Sequence, residues 1–346
     1  MAAVYGFRVH TMEPHVQRSQ EYLSIEDVSA AGGEVDAFDQ VHKALLELQA
    51  ASTQVGYPTF YVDQQHEDDR DARLAGKELP YFQVTQVDMT GRVIEVTVET
   101  GKEADHDALV SRDGTHEPIK NKAAVRTSTV ILIFPKKGTM ALMVSEVRGR
   151  NYAGEFLFQW LTRRAQRAVV TIDAKGNRKE DAWLNWKLVP QIDGNRLDGI
   201  LSGSADHTLR LRRRTVSAAG TRSSYDLELV QFGLKKSPLT SLVKVLTDMA
   251  GRAGKGTAEN RRKEAAKDVI SLVDADVAGL DFTEAELSFK ENGKTQTVNS
   301  ETIEQLFVYP LGVGRPSLTD LKAKATPVVQ RIGPGLGIQT NLSVQP

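Results

Sequence analysis

Between residues 92 and 99 the chain alternates by side: Ile94, Val96 and Val98 take one face of an extended strand, Glu95, Thr97 and Glu99 the other. Residues 81–88 and 92–99 flank Met89-Thr90-Gly91, and together they predict a β-hairpin. A second hairpin is predicted for 128–134 and 140–147 around Pro135-Lys136-Lys137-Gly138. Its first strand is apolar on both faces, which marks a central position in a sheet. Residues 4–9 form a short apolar strand candidate, and Leu184, Trp186 and Leu188 alternate with Asn185 and Lys187 in another. Thr208–Val216 and 225–234 read as a further pair. Asn292-Gly293, between Leu287/Phe289 and Val298, carries the signal of a tight type I′ hairpin turn.

Helical spacing is scarcer. Val35, Phe38, Val41, Leu45 and Leu48 predict a helix over 34–50. A short helix over 155–167 places Phe156 and Trp160 on its apolar side and Arg163, Arg164 and Arg167 in its last turn, where cations complement the helix dipole. Ser237-Pro238 is a helix start, followed by the stripe Leu239, Leu242, Val243, Leu246 and Met249. A second helix follows over 258–273, and the tail from Pro327, with Gly333-Pro334-Gly335, reads as extended. The fold class expected is therefore α+β, mostly antiparallel β-hairpins with a few helices, in two or three modules. These are an acidic α+β module over 1–120, a basic mainly-β module over 121–236, and a helix pair plus β-hairpin with an extended tail over 237–346.

Charge sharpens this division. Residues 1–120 hold 10 Lys/Arg against 22 Asp/Glu, residues 121–240 hold 21 against 10, and residues 241–346 hold 13 of each. The net charge of −1 over 346 residues is thus a cancellation of opposite segments. Such segregation creates a field that attracts phosphates, or makes two parts of the protein attract each other. Cysteine is absent, which excludes disulfides, thiolate metal sites and a cysteine nucleophile, and fits a cytoplasmic setting. Residues 1–14 lack the apolar core of a secretory signal, and no apolar run approaches the ~20 residues of a membrane span.

The leading candidate for chemistry is Thr208-Leu209-Arg210-Leu211-Arg212-Arg213-Arg214. In a strand Arg210, Arg212 and Arg214 share one face, a row of guanidinium groups suited to bidentate contacts along a phosphate backbone. Arg222, Lys235 and Lys236 extend the footprint. The competing reading pairs Arg212 with Glu228 and Arg214 with Asp226 across a hairpin, which neutralises the row. A second basic cluster comprises Arg252, Lys255, Arg261, Arg262 and Lys263. Its Gly251-Arg252-Ala253-Gly254 resembles the GxxG loop of KH domains, which implies a backbone clamp between two helices. Thr257 stands where that pattern has an apolar residue, and a glycine-terminated helix with an exposed turn remains the alternative.

Other motifs fail on order or spacing. Gly254-Lys255-Gly256-Thr257 breaks the order of a P-loop, Gly333-Pro334-Gly335-Leu336-Gly337 does not match a dinucleotide fingerprint, and the seven histidines form no HxH or HExxH set. Asp226 and Glu228 are candidate ligands for a hard cation, and His66, Asp68 and Asp69 lie in an acidic loop. Trp183 is an aromatic candidate for base stacking. No motif calls for a cofactor. The reading that follows is a non-enzymatic protein that binds DNA or RNA through the phosphate backbone, as part of a larger complex in genome maintenance or antiviral defence. A protein partner, or self-association, would use the acidic first module, and no membrane is involved. The alternatives are an assembly subunit with charge-complementary modules and a metal-dependent nuclease or phosphodiesterase at Asp226 and Glu228.

Overall fold

The computed structural model describes residues 4–17, 19, 21–50, 80–103, 108–110, 115–118, 123–148, 151–172, 178–191, 193, 196, 208–216, 223–232, 263–264, 266–268, 282, 284–291, 294–299, 307–339 and 342. In chain order its strands are β1 (Val4–Val16), β2 (Pro80–Thr90), β3 (Val93–Glu103), β4 (Ala108–Val110), β5 (His116–Pro118), β6 (Ala123–Ile133), β7 (Ala141–Arg148) and β8 (Asn151–Tyr152). They continue with β9 (Val170–Ile172), β10 (Arg178–Glu180), β11 (Leu184–Pro190), β12 (Thr208–Val216), β13 (Ser223–Phe232), β14 (Glu284–Glu291), β15 (Lys294–Asn299) and β16 (Tyr309–Val313). Helices α1 (Ala37–Ala50), α2 (Ala153–Ala168) and α3 (Leu318–Ile332) complete the main elements. The class is α+β with antiparallel pairing.

The chain divides into two compact units, Met1–Leu188 with Tyr309–Pro346, and Val189–Val308. The divisions expected at 120 and 236 do not coincide with them. β3 and β6, from either side of residue 120, pair from Val93↔Ile133 to Glu103↔Ala123. Charge changes sign along the sequence there, but backbone pairing does not depend on side-chain charge.

The first unit is built on a sheet of order β11-β1-β7-β6-β3-β2, with β16 also beside β1 and β8 beside β7. The alternation of β6 and β7 explains its layers. Val130, Leu132 and Met143 face a core with Phe38, Val41 and Leu45 of α1 and Leu157, Phe158 and Trp160 of α2. Ile131, Ile133, Leu142 and Val144 face the opposite core, with Phe7 and Val9 of β1 and Leu321, Ala325, Val328 and Val329 of α3. A sheet covered on both faces needs strands apolar on both faces, and residues 130–134 supply one.

Several helix expectations shift. α1 begins at Ala37 and leaves Val35 exposed; Asp36 accepts the Phe38 amide at 2.8 Å and binds Arg92 through two hydrogen bonds of 2.9 and 3.0 Å. In α2 Phe156 is exposed, while Leu157, Phe158, Trp160 and Leu161 are buried. The tail is not extended from Pro327: Pro327 lies inside α3, followed by a 3-10 turn over Gly333–Leu336. Two things outweigh the proline. Ser317 and Asp320 form a reciprocal capping box at the helix start, and an apolar stripe on both sides of Pro327 is buried. Among the described residues no helix is long and apolar enough to cross a membrane.

The second unit contains a four-stranded sheet of order β13-β12-β14-β15. Glu291↔Lys294 closes the β14–β15 hairpin around Asn292-Gly293. The helix expected over 237–250 lies outside the described residues, and Lys263, Glu264 and Ala266–Asp268 are helical within the one expected over 258–273.

Candidate functional site: the arginine strand and a buried basic cluster

β12 is an interior strand of the four-stranded sheet, and its alternation sorts the side chains as the residue types demand. Leu209 and Leu211 are buried, at 3% and 0% exposure, while Arg210 and Arg212 take the other face. The register sets Arg210 between Val230 on β13 and Glu286 on β14, and Arg212 between Glu228 and Glu284. Arg212 donates to Glu286 at 3.4 Å. Arg210 comes only to 3.8 Å of the other oxygen of the same carboxylate, too far for a hydrogen bond. Its Nε is buried with no hydrogen-bond partner, while 41% of its side chain remains exposed.

The cross-strand neutralisation foreseen from sequence is therefore partly rewritten. Arg212 does stand opposite Glu228, but Arg214 stands opposite Tyr225. A bulge between Arg213 and Arg214 leaves Asp226 as the extra residue of β13. The irregularity at Asp226 thus interrupts the straight strand face expected to carry Asp226 and Glu228 as cation ligands. Among the described residues no group of three or more His, Asp or Glu could hold a metal ion. The side chains of Arg214, Asp226 and Glu228 are outside the described set, as are Arg222, Lys235, Lys236, Arg252, Lys255, Arg261, Arg262 and the acidic loop with His66, Asp68 and Asp69. Lys263 is exposed on its helical turn.

Trp183, expected as an exposed aromatic, is only 8% exposed. It precedes β11, so the parity of that strand does not reach it, and its carbonyl accepts the Gln17 amide at 2.8 Å.

A second cluster escaped the sequence reading. On β1, Arg8 and His10 project to the same side as Met12, and both are buried, at 7% and 1% exposure. Arg8 lies opposite Ser145 of β7, and the Ser145 hydroxyl accepts the Gly154 amide, in the first turn of α2, at 3.1 Å. Tyr152, the residue before α2, stacks on His10 with ring centroids 5.0 Å apart and lies under the Arg8 guanidinium at 5.3 Å. Arg8 Nε and both nitrogens of His10 are buried without hydrogen-bond partners. Burial, reinforced by the charge of Arg8, pushes the His10 pKa down to about 3, so the imidazole is neutral. Gly154 allows this approach, because a side chain there would meet Met143 Sδ at 2.6 Å. The signal in the sequence was an arginine and a histidine at alternate positions among the apolar Phe7, Val9 and Met12.

Compared with known protein families, with curated proteins and with solved structures, the chain finds no match.

Proposed function

We propose that the protein is a non-enzymatic nucleic-acid-binding component that contacts phosphates through the Arg210 side of β12, without strong sequence preference. The observation that carries this reading is the weakly engaged guanidinium of Arg210: half-exposed, on a regular strand, in a loose ion pair with Glu286 at 3.8 Å and without a hydrogen bond to it. The excess of Lys/Arg over residues 121–240 supports it by supplying long-range attraction. Arg212 is committed to Glu286, so the grip is narrower than a three-arginine row. An electrophoretic shift at low salt with DNA and RNA tests the reading. The wild type retards both, and Arg210→Ala weakens retardation without changing the circular dichroism spectrum; no retardation by the wild type would end it.

A second reading has its own observation. Glu228, Glu284 and Glu286 all occupy register positions beside the β12 arginines, the arrangement of a sheet face neutralised from within. On this reading the protein is an assembly subunit, and native mass across a salt series shows oligomers that form without nucleic acid.

A further inference from the structure

We propose that the cluster at the amino end of α2, formed by Arg8, His10 and Ser145, is a binding site for a phosphate group, with the Arg8 guanidinium as its anchor. This inference stands independently of the nucleic-acid reading, since it involves a different sheet and different residues.

The argument starts from what the cluster lacks. Arg8 as a residue is only 7% exposed and its Nε is buried without a partner; a guanidinium so placed normally meets a carboxylate, because an unpaired buried charge is costly. Around Arg8 the described groups are the face of Tyr152, the neutral His10 and the Ser145 hydroxyl; none is an acid. The aromatic face attracts the cation but accepts none of its five N–H donors.

Position compounds the problem. α2 is a 16-residue helix whose positive end lies here, and a cation is favoured at the opposite end of a helix. Of the first-turn amides, that of Gly154 is met by Ser145. The acid of that turn, Glu155, is exposed and lines the groove towards Trp183 and Asn185. Donors and positive potential thus converge with no carboxylate among the described groups. Both nitrogens of His10 are equally unspent. A phosphate supplies what is missing: two negative charges and several acceptor oxygens in a tetrahedron, able to meet Arg8, a helix-start amide and His10 from separate directions. A planar carboxylate satisfies the arginine fork alone.

The test uses the full chain and inorganic phosphate, glycerol phosphate and acetate at matched ionic strength, read by thermal unfolding and titration calorimetry. Both phosphates raise the melting temperature with rising concentration, and acetate does not. A tighter response to glycerol phosphate points to a phosphorylated metabolite, an equal one to free phosphate, and either supports the site. Arg8→Met, of similar length without the charge, loses the response and melts higher than the wild type in phosphate-free buffer, because a buried unpaired cation has been removed. Should that variant fail to fold, Arg8→Lys keeps the charge without the fork and weakens phosphate binding on the order of tenfold. The proposal is overturned if phosphate does no more than acetate, if Arg8→Met keeps the response or melts lower than the wild type, or if Arg8→Lys binds as the wild type does.

Discussion

One buried histidine gives the first unit a pH-dependent contribution to its stability. His10 is neutral in the fold, its pKa pushed down to about 3 by burial and by Arg8, whereas in the unfolded chain it takes up a proton near 6.5. Protons therefore favour the unfolded state. The stability tied to neutral His10 is complete above about pH 6.5 and is lost as pH falls towards 3, at up to about 1.4 kcal/mol per pH unit. Urea unfolding of His10→Phe, which keeps a ring on Tyr152, is expected to show a shallower loss of stability between pH 7 and pH 5 than the wild type. Equal slopes would place the pH dependence elsewhere. At this scale the sequence was only partly legible. It showed that Leu209 and Leu211 turn inward and Arg210 and Arg212 outward, because strand parity is local. It could not show that Glu286 would reach both arginines, since the partner on the far side of β12 lies 74 residues from Arg212.

At the scale of elements, alternation and turn chemistry served well, and proline misled. The hairpins around Gly91, around residues 135–138 and at Asn292-Gly293 all form, because each is specified within a few residues of its own turn. From Pro327, with Gly333-Pro334-Gly335 beyond it, the sequence reads as an extended tail, and the mid-helix proline of α3 does remove one backbone hydrogen bond and crowd the preceding turn. What keeps the helix is burial of Leu321, Ala325, Val328 and Val329 on the β1–β7–β6 face, which no local rule reports. Pro327 itself is exposed. Pro327→Ala restores the missing donor without touching the core, and is expected to stabilise the protein by about 1–2 kcal/mol, the helix gain less the unfolded-state entropy that proline removes. Denaturant unfolding checks this; a loss of stability would show that the proline relieves some other constraint. In α2 the missing information was phase: Phe156 and Trp160 are four apart, but the buried arc runs through Leu157, Phe158, Trp160 and Leu161.

Across the whole molecule, charge and architecture follow different boundaries. The first unit joins residues from the acidic segment, the basic segment and the far end of the chain, because β16 returns to β1 and α3 covers the second face of the sheet. Closure between segments some 300 residues apart leaves no trace in periodicity. Deleting Tyr309–Pro346 removes that cover and uncovers Phe7, Val9, Ile131, Ile133, Leu142 and Val144. The shortened chain is expected to bind a hydrophobic dye strongly and to aggregate, as large exposed apolar patches do; a soluble, dye-silent product would mean the unit closes without α3. On the proposed function, the segregated charge acts as a field that brings phosphates to a partly committed arginine face. Fluorescence anisotropy of labelled DNA and RNA across a salt series tests that claim most directly, comparing the wild type with Arg210→Ala and Glu286→Gln. The account predicts binding of both nucleic acids with log K falling linearly in log salt, a slope shallower by about 1 in Arg210→Ala, and tighter binding in Glu286→Gln, where a competing carboxylate is gone. Absence of binding at low salt, or three proteins with the same slope and affinity, would contradict it.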